Sequence, residues 1–220
     1  MNNKLFAFIV CVDNRQFYDE CKFYIDRLRM PYGYSAVIYP VEKASCPANG
    51  YNFGMAQTDA LYKIYMQQNI FIINPNFLKD LLSVFEQDRR IGMVGMVGCE
   101  EFPPDAIMWH TRRVGNLYSF DPDNVNLGDY TYRKSDGYVE VKALEGYLLA
   151  TRVDIPWRED LFTSGDFYDL AHSFEMRRRG YRLAVPNMAK PWVACDEGIR
   201  TLWNYDRYRR VFLKEYGNDM

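Results

Sequence analysis

Residues 5–12 (LFAFIVCV) form an unbroken apolar run rich in β-formers, closed by Asp13 and Asn14. The run is too short to cross a membrane and too continuous for a half-solvated strand. It suits a strand buried on both faces, as in a parallel sheet covered by helices. Residues 16–29 then place Phe17, Cys21, Tyr24, Ile25 and Leu28 at helical spacing, and Pro31 and Gly33 stop the pattern. Residues 34–39 (YSAVIY) return to strand character. Strand, helix and strand at this spacing predict a βαβ unit and an α/β fold.

The pattern continues downstream. Residues 44–53, rich in Ser, Pro, Asn and Gly, read as loop, and residues 54–66 as a helix with Ala56, Ala60 and Ile64 on one side. Residues 69–73 form a short apolar strand, Pro75 and Asn76 open a helix over 77–89, and residues 91–97 (IGMVGMV) form a further buried strand. Residues 101–137 are polar, rich in Asp and Tyr, and poorly periodic. They read as a long insertion carrying a hairpin, the kind of segment that often serves as a lid or binding loop. Strand patterning returns over 138–143 and 147–151, and residues 202–216 read as an amphipathic helix. The chain has 220 residues and no internal repeat, so one domain with a sizeable core is expected.

The densest chemistry lies in residues 145–186. They read as a strand, then a loop with Trp157, Arg158, Phe162 and Gly165, then a helix and a second strand ending at Pro186. Asp166 and Asp169 stand at the helix start, Arg177, Arg178 and Arg179 at its end, and Gly180 stops it. Those end charges suit the helix dipole, which is explanation enough on structural grounds. The other reading is a substrate-facing edge with a carboxylate aimed into it. Ligands in open α/β sheets gather at the carboxyl ends of strands, here Asp13-Asn14 and Asn74.

Several classes fall away. A formal net charge of -2 leaves no basic field for nucleic acid. The five cysteines are scattered without a CxxC pair, which argues against a zinc knuckle or a disulfide framework and for reduced thiols. No membrane span or cleavable leader is read near the first residues, so a cytoplasmic protein is expected.

Five strings resemble, in order, family-2-like glycosyltransferases of the nucleotide-diphospho-sugar transferase (GT-A) fold. They are FIVCVDNRQFYDEC, NGYNFGMAQTDALYKIYMQQNIFIINPNFL, EGYLLATRVDIPWREDLF, DFYDLAHSFEMRRRGYRLAVP and PWVACDEG. More narrowly they look like a small bacterial, streptomycin-biosynthesis-like branch. The resemblance implies a Rossmann-like mixed sheet flanked by helices and inverting transfer, hexosyltransferase in type, from a nucleotide-diphospho-sugar donor to a hydroxyl of a glycan or small-molecule acceptor. It implies that Val12, Asp13 and Asn14 meet the base and ribose, with Asn49, Asn52, Gly54 and Gln68 near the nucleotide and Asp59 near the donor sugar. For these the plain alternative is turn formation and helix capping. Asp169 matches the family's general base, with Asp166 left to capping. Glu145-Gly146 falls where relatives carry Asp-Gly on the acceptor strand. Trp157 either stacks an acceptor ring or fills core.

The family's acidic motif holds a divalent ion, manganese or magnesium, on the diphosphate. Here it reads Gln67-Gln68-Asn69, with Asn69 in the acidic place and Cys195 where relatives often have His. Lys63 or Arg200 are the cations considered as substitutes. A transferase and a catalytically degenerate relative that binds a sugar nucleotide or a partner therefore both remain open.

Overall fold

The structure, a computed structural model, describes residues 1–120, 125–129, 137–196 and 202–220. Its first elements are β1 (Asn2–Val12), α1 (Arg15–Ile25), β2 (Ser35–Glu42), α2 (Pro47–Ala56), β3 (Ala60–Gln67), β4 (Ile70–Ile72) and α3 (Phe77–Gln87). There follow β5 (Ile91–Gly95), β6 (Val97–Cys99), a 3-10 turn (Met108–His110), β7 (Arg113–Phe120), β8 (Val125–Asp129), β9 (Tyr138–Val141), β10 (Ala143–Leu144) and β11 (Leu148–Thr151). The chain then forms α4 (Tyr168–Arg178), β12 (Arg182–Pro186), β13 (Val193–Asp196) and α5 (Tyr205–Tyr216).

The main sheet has seven strands in the order β2-β1-β3-β11-β5-β12-β9. β1 lies parallel to β2 and β3, with Phe8 opposite both Ile38 and Ile64. Residues Phe6 to Val10 have no exposed surface, the burial that the unbroken apolar run predicts. β11 runs antiparallel between β3 and β5, which makes the sheet mixed. β10, β6, β7, β13 and β4 form the second sheet, and β8 pairs with β7 as a hairpin inside the 101–137 insertion. The remainder of that insertion, residues 121–124 and 130–136, lies outside the described residues.

One expectation is overturned. Residues 54–66 do not form one helix: 54–56 end α2 and 60–66 belong to β3, while the expected loop 44–53 contains most of α2. Ala56, Ala60 and Ile64 fall four apart by coincidence. The aromatic and β-branched residues Tyr62, Ile64 and Tyr65 instead favour a strand. Pairing with β1 on one side and β11 on the other settles the competition. Two smaller differences follow the same logic. The run 91–97 breaks at Met96, where the chain passes from one sheet to the other, and the helix expected over 16–29 stops at Ile25.

α4 is anchored rather than merely dipole-matched. Glu175 takes Arg179 at 2.6 Å, Arg178 at 3.2 Å and Arg158 at 3.4 Å, and accepts from the Tyr216 hydroxyl at 3.0 Å. The basic run at its end thus ties α4 to α5 and to the loop after β11. Gly180, at φ +81°, terminates it in the left-handed conformation that a side chain resists. Among the described residues no helix is long and apolar enough to cross a membrane.

Candidate functional site

β1, β2 and β3 point their carboxyl ends the same way, bringing Val12 beside Glu42 and Cys11 beside Gln67. A cavity of about 690 Å³ opens there, lined by Val12, Asp13, Arg15, Lys43, Gln67 and Gln68 among others. The Gln68 carbonyl oxygen accepts from the backbone N–H groups of Asp13 and Asn14, each at 2.8 Å, and its amide donates to the Asp13 carboxylate. Gln68 therefore shapes the turn after β1 and holds Asp13 at the cavity. Asn14 is occupied otherwise: its side chain caps α1 by accepting from Gln16 N at 2.9 Å. Burial pushes the Cys11 thiol up to about 12, helped by Cys46 and Asp13, so it stays protonated at neutral pH.

A second cavity of about 710 Å³ adjoins the first, and Gln67, Ser164 and Gly165 line both. Its other walls include Asn69, Arg113, Glu145, Gly146, Asp166 and Asp169. Asp169 sits in the first turn of α4 and accepts from Gly146 N at 2.6 Å and Leu170 N at 2.8 Å. The Tyr168 hydroxyl donates back to the Gly146 carbonyl at 3.2 Å. One residue of the loop between β10 and β11 is thus clasped by two successive residues of α4. Glu145 pairs with Arg113 at 3.2 Å. Asp166 does not cap α4; its carboxylate accepts from Ser164 Oγ at 3.1 Å and faces the cavity.

The capping position belongs to Phe167, at φ +64° with no side-chain cap. A bulky residue in that region is strained, and the strain is stored where α4 meets the cavity. Phe167 is buried and packs on Tyr205, with ring centroids 4.9 Å apart. Burial, and secondarily the charge of Asp169, pushes the Tyr205 phenol above its ordinary range. Trp109 also packs on Tyr205, with ring centroids 4.9 Å apart.

Several residues expected at the site lie elsewhere. Asn49 donates to Glu159 at 2.6 Å; Asn52 donates to Glu159 and to Trp157 O and accepts from Trp157 N. Both therefore fasten α2 to the loop that precedes α4. Gly54 packs against β1, where an added Cβ would stand 2.4 Å from Ile9 Cγ2. Asp59 precedes β3 and accepts from Asn2 N, at the end of the sheet opposite Asp13. Trp157 is 2% exposed and stacks on His172 at 3.7 Å and 9°, so it is core rather than an acceptor surface. Asn74 caps the turn into α3 and lines a separate cavity of about 740 Å³. Lys63 is fully buried and paired with Asp154 at 2.7 Å, away from the strand ends. Arg200 lies outside the described residues.

The two places compared with a metal motif do not suit a hard divalent ion. The Asn69 amide donates to Asp196 O at 2.6 Å and reaches Cys195 Sγ at 4.0 Å, while Cys195 is 1% exposed. Magnesium and its like require several oxygen ligands, preferably charged. A donating amide and a buried thiol do not supply them. Among the described residues no group of three His, Cys, Asp or Glu could hold a metal.

Sequence reading names Gly165 in the loop before α4 and Gln67 in the altered acidic motif, but it misses that they join two cavities, and it misses Ser164 and the aromatic wall of Trp109, Trp203 and Tyr205. These residues come from segments far apart in the chain, and no local pattern shows that they meet.

The family described as "Glycosyltransferase like family" matches residues 7–216. No curated protein matches the sequence. Among solved structures, S. aureus TarS is similar with a TM-score of 0.61 and 11% identity, covering 96% of this chain and 39% of TarS. TarS 1-349 in complex with UDP gives 0.58 and 11%, covering 96% and 64%. The mannosyltransferase PcManGT from Pyrobaculum calidifontis, in complex with GDP-Man and Mn2+, gives 0.55 and 12%, covering 98% and 64%. The chain spans less than two thirds of each of these structures. At such identities the likeness establishes the fold, a GT-A mixed sheet flanked by helices.

Proposed function

The chain belongs to the glycosyltransferase-like family, and from that premise we propose that it moves a sugar from a nucleotide-diphospho-sugar donor to an acceptor hydroxyl with inversion. The observation that carries this reading is the pair of adjoining cavities, one at the ends of β1 to β3 and the other holding the Asp169 carboxylate. The donor nucleotide occupies the first, against Val12 and Asp13. Similar folds have been solved with UDP and with GDP-Man, which makes these nucleotides the first to test. The acceptor occupies the second. The anomeric carbon then lies near Gln67, Ser164 and Gly165, which line both.

Asp169 acts as general base. The acceptor oxygen forms the new bond to the anomeric carbon, its proton passes to the Asp169 carboxylate, and the bond to the diphosphate breaks with its electron pair on the leaving phosphate. Gly146 N–H fixes one carboxylate oxygen, which sets the approach of the other. Gln67 and Gln68 offer the donor neutral dipoles, and the Asn69 amide is held by Asp196 O, so no step is assigned to a divalent ion.

The second reading is a relative that binds a sugar nucleotide without efficient transfer, and the neutral Asn69 with the buried Cys195 favours it. Turnover of UDP- and GDP-linked sugars, with manganese and with chelator, separates the two. Transfer or hydrolysis of one donor, reduced about 100-fold or more in Asp169→Asn, is the expected result. Nucleotide binding with no turnover of any donor would establish the second reading. Turnover unchanged in Asp169→Asn removes that residue from the chemistry.

A further inference from the structure

Resting on the transferase reading, we propose that the acceptor is an uncharged saccharide whose ring seats against Trp109 and Trp203 while a hydroxyl turns to Asp169. Trp203 is 91% exposed and Trp109 51%, and both line the 710 Å³ cavity. Large aromatic faces left in water beside a cavity mark a binding surface more often than chance exposure. Neither belongs to the buried core. Trp109 is nevertheless braced, because Tyr205 packs on it and Phe167 packs on Tyr205. Trp109 is therefore tied through Tyr205 of α5 and Phe167 to the start of α4, the helix that carries Asp169.

The rest of the cavity selects the occupant. Glu145, Asp166 and Asp169 supply oxygen acceptors to the cavity wall, and the tryptophans supply apolar area. A pyranose matches both at once, with C–H groups on its face and hydroxyl donors at its edge. An aliphatic alcohol would cover the carboxylates without offering them hydrogen bonds, which costs desolvation. An anionic acceptor would meet three carboxylates. Arg113 is the one cation among the described lining residues, and it is paired with Glu145. The donor diphosphate next door adds further negative charge, and like charges brought together at an interface are unfavourable.

The test is tryptophan fluorescence and saturation-transfer NMR on the full chain with UDP or GDP present, whichever binds. The ligands are methyl glycosides of glucose, galactose, mannose and N-acetylglucosamine, a methyl glucuronide, and octanol. We expect at least one neutral glycoside to bind, with its affinity reduced about tenfold or more in Trp203→Ala and in Trp109→Ala. Nucleotide affinity should stay within about twofold in both. Trp203 is almost wholly exposed, so its variant keeps the test valid if Trp109→Ala misfolds. The proposal is overturned if no neutral glycoside binds, if the glucuronide or octanol binds as well as the best glycoside, or if Trp203→Ala leaves glycoside affinity unchanged. Failure here with donor turnover intact leaves the transferase reading standing. Absence of donor turnover, by contrast, sinks that reading whatever the glycosides do.

Discussion

Gly146→Ala tests the clasp between the β10–β11 loop and α4. A Cβ at Gly146 would stand 2.3 Å from the Tyr168 hydroxyl oxygen, 2.9 Å from its ring carbon and 3.1 Å from the Asp169 carboxylate. Ordinary contact begins near 3.4 Å, so the phenol must retreat by about 1 Å. Tyr168 is 4% exposed and hemmed in by Tyr51 and Trp157, with ring centroids at 5.9 and 6.0 Å. Retreat therefore means repacking, at roughly 1–3 kcal/mol, or a fall in melting temperature of about 2–12 °C for a chain of this size. The same displacement loosens the bond from Gly146 N to Asp169. A misplacement of ~1 Å at a reacting group lowers a rate by about 100-fold. Thermal unfolding, donor turnover and nucleotide titration should show both losses with nucleotide affinity unchanged, since Gly146 does not line the first cavity. Turnover within about threefold of the parent in a variant that is measurably less stable would falsify the role given to the clasp.

Two further outcomes can be measured. Asn52→Ala removes three hydrogen bonds and leaves the Trp157 N–H unpaired, while the Trp157 carbonyl keeps its bond from Glu159 N, so urea unfolding should report a loss of about 2–4 kcal/mol with nucleotide affinity intact; weaker nucleotide binding at unchanged stability would return Asn52 to the nucleotide site. Burial lowers the His172 pKa from 6.5 to about 3, so the unfolded chain binds a proton that the folded chain refuses between these values. That stability is fully present above pH 6.5 and declines as pH falls toward 3, by roughly 1 kcal/mol per pH unit. Urea midpoints between about pH 7.5 and 5 should fall in the parent and stay flatter in His172→Phe, and parallel slopes would refute the assignment.

How much was legible depended on how local each signal was. The βαβ start, the helix with its acidic start, basic end and stop at Gly180, and the placement of Asp13 at a strand end all follow from short-range pattern and strand-end logic. β3 was misread because Ala56, Ala60 and Ile64 imitate a helical stripe, and only two-sided pairing reveals the strand. Asn49 and Asn52 are expected near the nucleotide only because the family resemblance implies it. Their partners Trp157 and Glu159 are more than a hundred positions away.

The sequence by itself determined the α/β class, the burial of β1 on both faces and the chemistry present near Asp169, because periodicity and helix-end charge act over a few residues. The tertiary structure decided which of those groups meet. It turned Asn49, Asn52 and Trp157 inward, kept Lys63 with Asp154, and gathered Gln67, Ser164 and Gly165 between two cavities. The physical reason is that a cavity is a property of the space between elements, and no single segment encodes the space that others leave open.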